Sequence, residues 1–213
     1  MKRLNKSTLK RIYVSLAAGF LCAAAVGMAR FDAACDGLRA NCLRMHILAN
    51  SDSPADQQLK LKVRDAVLSQ SRTLFENAGG QKEALAIARD NIDSITKTAQ
   101  KVCDRANSGY KVTATVKKEY FETREYENFT LPAGEYEAVR ILIGKAQGKN
   151  WWCVMYPAVC VGSSSAKKNI KAAAGKNAAK VASGKGQYKI KFKIVEMYEG
   201  VKNRMRSSKK HSK

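Results

Sequence analysis

The chain has 213 residues, enough for one domain with appendages, and a formal net charge of +21 from 39 Lys/Arg against 18 Asp/Glu. The surplus sits at the ends: residues 1–30 hold six basic side chains and no acid, residues 31–160 hold 18 against 16, and residues 161–213 hold 15 against 2. A near-neutral middle argues against a nucleic-acid reader, which carries its charge on the folded face, and points to targeting at one end and an interacting tail at the other.

Residues 1–30 read as a signal peptide or membrane anchor. Lys2, Arg3, Lys6, Lys10 and Arg11 precede an uncharged run from Ile12 to Ala29, 18 residues that fall between a signal-peptide core and a short membrane span. The basic flank holds the N-terminus in the cytoplasm and sends the rest across. Ala23 with Ala25, or Gly27 with Ala29, supplies a small-x-small cleavage site. Cys22 follows Phe20 and Leu21, the wrong context for a bacterial lipidation cysteine.

With Cys22 in the leader, Cys35, Cys42, Cys103, Cys153 and Cys160 remain. Five is an odd number, so at least one thiol stays free or pairs between molecules. Outside the cytoplasm disulfides persist, and Cys35–Cys42 and Cys153–Cys160 are plausible local pairs, with connectivity left open. The chain has no C-x-x-C and only two histidines, His46 and His211, so neither a metal nor a cofactor is expected.

Arg44 to Ala49 is short and apolar, as a strand requires, and Asn50-Ser51-Asp52-Ser53 is turn chemistry. Ser53 as N-cap, Pro54 at N1 and Asp56 at N3 predict a helix start. Leu59, Val63, Ala66, Val67 and Leu74 continue at helical spacing until Gly79-Gly80. Leu85, Ala88, Ile92, Ile95, Ala99 and Val102 predict a second helix, antiparallel to the first and stopped by Asn107-Ser108-Gly109.

The period then becomes two. Val112-Ala114-Val116, Val139-Ile141-Ile143 and Tyr188-Ile190-Phe192-Ile194 each alternate with other residues, often lysine, and predict strands. Leu131-Pro132-Ala133-Gly134 is a turn between the first two. The expected fold is α+β: a helical hairpin packed on a largely antiparallel sheet, preceded by the N-terminal signal or anchor segment. Residues 40–161 form the domain, 162–187 a flexible Gly/Ser/Ala/Lys insertion able to form a weak helix from Asn169 to Val181, 188–200 a strand completing the domain, and 201–213 a basic tail. An anionic membrane surface is the expected target of that tail.

Candidate chemistry is sparse. A nucleophile pair of His46 with Cys42 or Cys153, oriented by Asp52 or Asn50, would make a cell-envelope hydrolase, yet no hydrolase motif accompanies it. A histidine on a short apolar strand more often bonds locally, and the cap and turn positions explain Asp52 and Asp56 without catalysis. Trp151 and Trp152, the only tryptophans, adjoin in an apolar run and should point to opposite faces of an extended segment.

Arg44-Met45-His46-Ile47-Leu48-Ala49-Asn50-Ser51-Asp52-Ser53, continuing through Asp56, Gln57, Lys60, Leu61, Val63, Arg64 and Asp65, resembles the stage II sporulation protein R family. So do Asn150-Trp151-Trp152-Cys153, Tyr156-Pro157 and Cys160, and Lys191 to Glu196 resembles the family's C-terminal portion. The resemblance implies a non-enzymatic signal of endospore-forming bacteria, exported from the forespore to the intermembrane space or held there by residues 12–29. There it would trigger a membrane-embedded aspartic protease that processes the pro-form of the mother-cell sigma factor E. The 162–187 insertion and the strongly basic tail depart from the family pattern. Within this reading His46, Asn50, Asp52, Ser53, Trp151 and Trp152 are the candidate partner-contact residues.

Overall fold

The computed structural model describes residues 5–158, 166–184 and 186–211. It is α+β, as the periodicities indicate. Helix α1 (Lys6–Ala40) leads into β1 (Leu43–Leu48), α2 (Pro54–Phe75), α3 (Gln81–Asp90), α4 (Ile92–Arg105) and β2 (Val112–Phe121). Then come β3 (Arg124–Glu125), β4 (Thr130–Leu131), β5 (Gly134–Ile143), β6 (Asn150–Tyr156), α5 (Ala166–Ser183) and α6 (Lys189–His211).

The main sheet runs β2-β5-β1-β6. Its outer pairings, β2 with β5 and β1 with β6, are antiparallel, and β1 lies parallel to β5 at the centre. The α2–α4 segment covers one face through Leu59, Val63, Val67, Ile95 and Ala99, which meet Met45, Ile47, Val139 and Ile141. The other face is covered at one end only. There Leu38 of α1, the β3–β4 ribbon and α5 enclose Phe121, Tyr136 and Val154. That half-covered face positions the candidate site.

Three expectations need correction. The second helix is two: Asn91 leaves helical geometry at φ −106°, ψ 13°, and its side-chain amide joins its backbone N–H on the Ile87 carbonyl, at 2.9 and 3.0 Å. The apolar seam nevertheless continues through Ala88, Ile95, Ala99 and Cys103. Residues 166–183, expected to be flexible, form α5 against α1. Its Ala166, Ile170, Ala178, Ala179 and Ala182 are buried in the cluster that contains Leu38 of α1, so a few well-placed apolar side chains suffice to order it.

The third correction concerns Tyr188 to Ile194, which is no strand: Tyr188 lies in a turn and Lys189 starts α6, a helix that also takes up the basic tail as far as His211. Alternating apolar residues at 188, 190, 192 and 194 satisfy either period over so few positions. The helix wins because Phe192, Val195 and Glu199 recur at three and four residues and reach a buried face.

Helix α1 changes character along its length. Residues 5–26 are all exposed, whereas Phe31, Ala34, Cys35 and Leu38 are buried. The apolar part has a mean hydropathy of 2.0 and none of it is covered by the domain. At 1.5 Å per residue, residues 6–26 reach roughly 30 Å, the thickness of a bilayer's hydrocarbon core. The leader and the first core helix are thus one continuous element, divided near Gly27.

Candidate partner-contact site

Strand alternation places Arg44 and His46 on the half-covered face. Arg44 is fully buried, its guanidinium 4.0 Å from the Phe121 ring centre and 4.9 Å from that of Tyr136. It donates to the Tyr126 hydroxyl at 2.6 Å, while its Nε and Nη1 lack protein partners. One step along β1 the cover ends, and His46 lies at the edge of the opening.

His46 is gripped at both ring nitrogens. Nδ1 lies 2.9 Å from Glu119 Oε2 and Nε2 lies 2.8 Å from Asn150 Oδ1. Across the antiparallel register His46 faces Trp152, and the two rings stack at 5.6 Å with an interplanar angle of 16°. The Arg124 guanidinium covers the Trp152 ring, 3.8 Å from its centre. Glu119 collects further positive charge: Lys117 Nζ stands 3.2 Å away and Arg140 Nε 3.3 Å away. Burial pushes the Glu119 carboxyl up, but His46 and Lys117 together outweigh it and hold it below the usual carboxylate range. The result is a platform of stacked rings and fixed charges on an open sheet face.

Asn50, Asp52 and Ser53 form a different cluster at the end of β1. Asn50 Nδ2 and Ser51 Oγ donate to Asp56 Oδ2 at 2.9 and 2.6 Å, and Ser53 Oγ accepts the Asp56 amide at 3.2 Å as the N-cap of α2. Hydrogen bonds from Ser51 and then Asn50 depress the Asp56 pKa. Asn50 Oδ1 accepts the Lys145 amide at 2.9 Å and Asp52 Oδ1 accepts the Lys149 amide at 2.6 Å, so the turn clamps the loop between β5 and β6. Gly148 permits that contact, since a Cβ there would stand 2.2 Å from the Ser51 carbonyl oxygen. Buried Lys60 completes the clamp by donating to the Lys149 carbonyl at 2.9 Å. These side chains hold the backbone in place.

The two tryptophans do point apart. Trp151 packs on the α2–α4 side with Arg64 over its ring at 4.6 Å, and Trp152 lies on the open side. The structure therefore brings His46 and Trp152 together, keeps Asn50, Asp52 and Ser53 in the turn, and sends Trp151 to the opposite face. Glu119, Asn150, Arg124 and Arg140 escaped sequence reading, although the Lys117/Glu119 alternation was a signal that both lie on one face.

The cysteines do not assemble around His46. Cys153 pairs in register with Met45 and belongs to the helix-covered core, on the other side of the sheet. Cys42 lies four residues along the chain from His46, about 13 Å in an extended strand. The expected Cys35–Cys42 bridge is absent. Cys35 is a free thiol packed with Phe31 and Phe192, whereas Cys42 belongs to the separate cluster around Leu38 and Phe121. Burial pushes the Cys35 thiol up to about 12, far from a reactive thiolate. Cys160, and with it the Cys153–Cys160 pairing, lies outside the described residues. Among the described residues no group of three or more His, Cys, Asp or Glu side chains is gathered for a metal ion.

These features define a class: an α+β domain behind an apolar N-terminal helix, with an aromatic and charged surface platform. The match to known sequences is more specific. The sequence profile of the stage II sporulation protein R family matches residues 39–166, and the chain belongs to that family. It is 33% identical to stage II sporulation protein R of Bacillus subtilis (strain 168), covering 83% of this chain and 80% of that protein. No solved structure matches it.

Proposed function

We propose that this protein is an exported sporulation signal, made in the forespore and acting in the intermembrane space. It activates a membrane-embedded aspartic protease that converts the pro-form of sigma factor E to its active form. Family membership carries this reading. The division of α1 near Gly27 supports it, because a leader that buries nothing can cross or be removed without disturbing the core. The contact with the protease is made by the His46–Trp152 platform, where a stacked aromatic pair and oriented charges are partly exposed at the surface.

A Cys/His hydrolase draws no support from the geometry, since the sheet separates Cys153 from His46. The test is complementation. In a sporulating strain that lacks its own family member, forespore expression of this chain restores processing of the sigma factor precursor. The same chain without residues 1–29 does not restore it. Processing restored by the leaderless chain confined to the forespore cytoplasm would contradict the reading.

A further inference from the structure

Helix α6 has two apolar faces. Phe192 and Val195 pack into the protein with Phe31, whose ring lies 5.1 Å from that of Phe192 and 5.5 Å from that of Tyr188. Glu199 is buried on the same side. On the opposite side Ile190, Ile194, Met197, Tyr198, Val201 and Met205 are 79, 49, 65, 61, 51 and 64% exposed. At 3.6 residues per turn these six fall in one continuous stripe covering roughly 100° of the helix. An unbroken row of large apolar side chains in water is costly and marks a binding surface.

The borders of the stripe identify what it binds. Lys191 and Lys202 lie along one margin, and Lys193 and Arg204 along the other. The two acids of this helix, Glu196 and Glu199, turn away, and they meet Lys193 at 3.1 Å and Lys202 at 3.2 Å. Arg206 is tied to Glu135 of β5. Apolar residues flanked on both sides by long cationic side chains suit a bilayer of anionic lipid. The stripe enters the acyl boundary while the amines and guanidinium groups reach the headgroups. A bilayer is also close at hand, because Lys191 Nζ comes within 4.0 Å of the Cβ position of Gly27, where the exposed apolar run of α1 ends.

We propose that α6 is a reversible membrane-surface anchor, which keeps the domain on an anionic bilayer once the leader no longer does. The inference stands whether or not the protein activates a protease. The signal is thereby confined to a membrane plane instead of diffusing through the intermembrane space.

The test uses residues 27–213, which retain every buried residue of the described chain. Vesicle co-sedimentation compares phosphatidylcholine with phosphatidylcholine containing about one third phosphatidylglycerol. Binding to the anionic vesicles should be at least about tenfold stronger and should weaken steeply with salt. Replacing Ile194, Met197, Val201 and Met205 by Ser should abolish it. Replacing Lys191, Lys193, Lys202 and Arg204 by Gln should weaken it by about 600-fold, at roughly fivefold per basic residue. A Tyr198→Trp chain gives a second measurement that does not depend on the multiple variants folding: brominated acyl chains should quench the added emission. Equal weak binding to both vesicle types, undiminished binding of the serine variant, or a stripe-dependent dimer that ignores vesicles would each overturn the proposal.

Discussion

The Asn50–Asp56 turn and the His46 platform come from one stretch of sequence, yet their polar groups do different work. In the turn nearly every polar atom faces another part of the same chain. Asp56 accepts from Asn50 and Ser51, and the Lys145 and Lys149 amides are held by Asn50 and Asp52. On the platform the hydrogen bonds orient side chains along an open edge, with Arg124 stacked over Trp152 and Glu119 held by His46 and by the cations Lys117 and Arg140. A polar motif therefore need not be a contact site. What matters is whether the surface its groups build is an aromatic and charged face, as at His46 and Trp152, or only the seam between two parts of the backbone.

That contrast is breakable, beginning with the largest effect. Gly148→Ala drives a Cβ against the Ser51 carbonyl and should destabilise the domain by about 3 kcal/mol in urea unfolding. Asp56→Ala strands the Asn50 amide and the Ser51 hydroxyl and should cost about 2–3 kcal/mol, with signalling falling only as far as the folded protein does. Asp56 also sets an acid dependence. Its folded pKa lies below the unfolded value of about 3.9, so its stabilisation is complete above that value and is lost as pH falls through the folded pKa. Acid unfolding curves of Asp56→Asn should lack that component, and an unchanged acid limb would refute the assignment.

On the platform the order reverses, with small stability effects and large functional ones. Trp152→Ala should cost only about 1–2 kcal/mol, because the ring is half-exposed, and still remove signalling. His46→Gln, which can keep one of the two hydrogen bonds, should shift stability by about 1 kcal/mol or less and reduce signalling partially. Equal functional loss from Trp151→Ala at matched protein level would dissolve the distinction between the two faces.

The sequence made the scaffold legible wherever local chemistry and periodicity agreed. Ser53-Pro54 starts α2 as expected, the Val112 and Val139 alternations are strands, and the tryptophans diverge. It misled where the pattern was short or the stabilising partner lay far along the chain. Tyr188 to Ile194 fits both periods, and only Phe31, more than 150 residues earlier, decides for helix. The composition of α5 is poor in large apolar residues, but Ile170 with Ala166, Ala178, Ala179 and Ala182 is buried against Leu38 of α1 and residues distant in the chain. At the site, His46 and Trp152 were visible as unusual residues. Glu119, Arg124 and Arg140 were not, since strand order decides which charges meet them.

The most direct measurement of the central claim is sigma factor precursor processing in sporulating cells carrying Trp152→Ala, with Asn50→Ala as the turn control, both at matched exported levels. The account predicts that Trp152→Ala reduces processing to about a tenth or less, while Asn50→Ala loses no more than its lowered stability explains. Full processing by Trp152→Ala at normal abundance would contradict it.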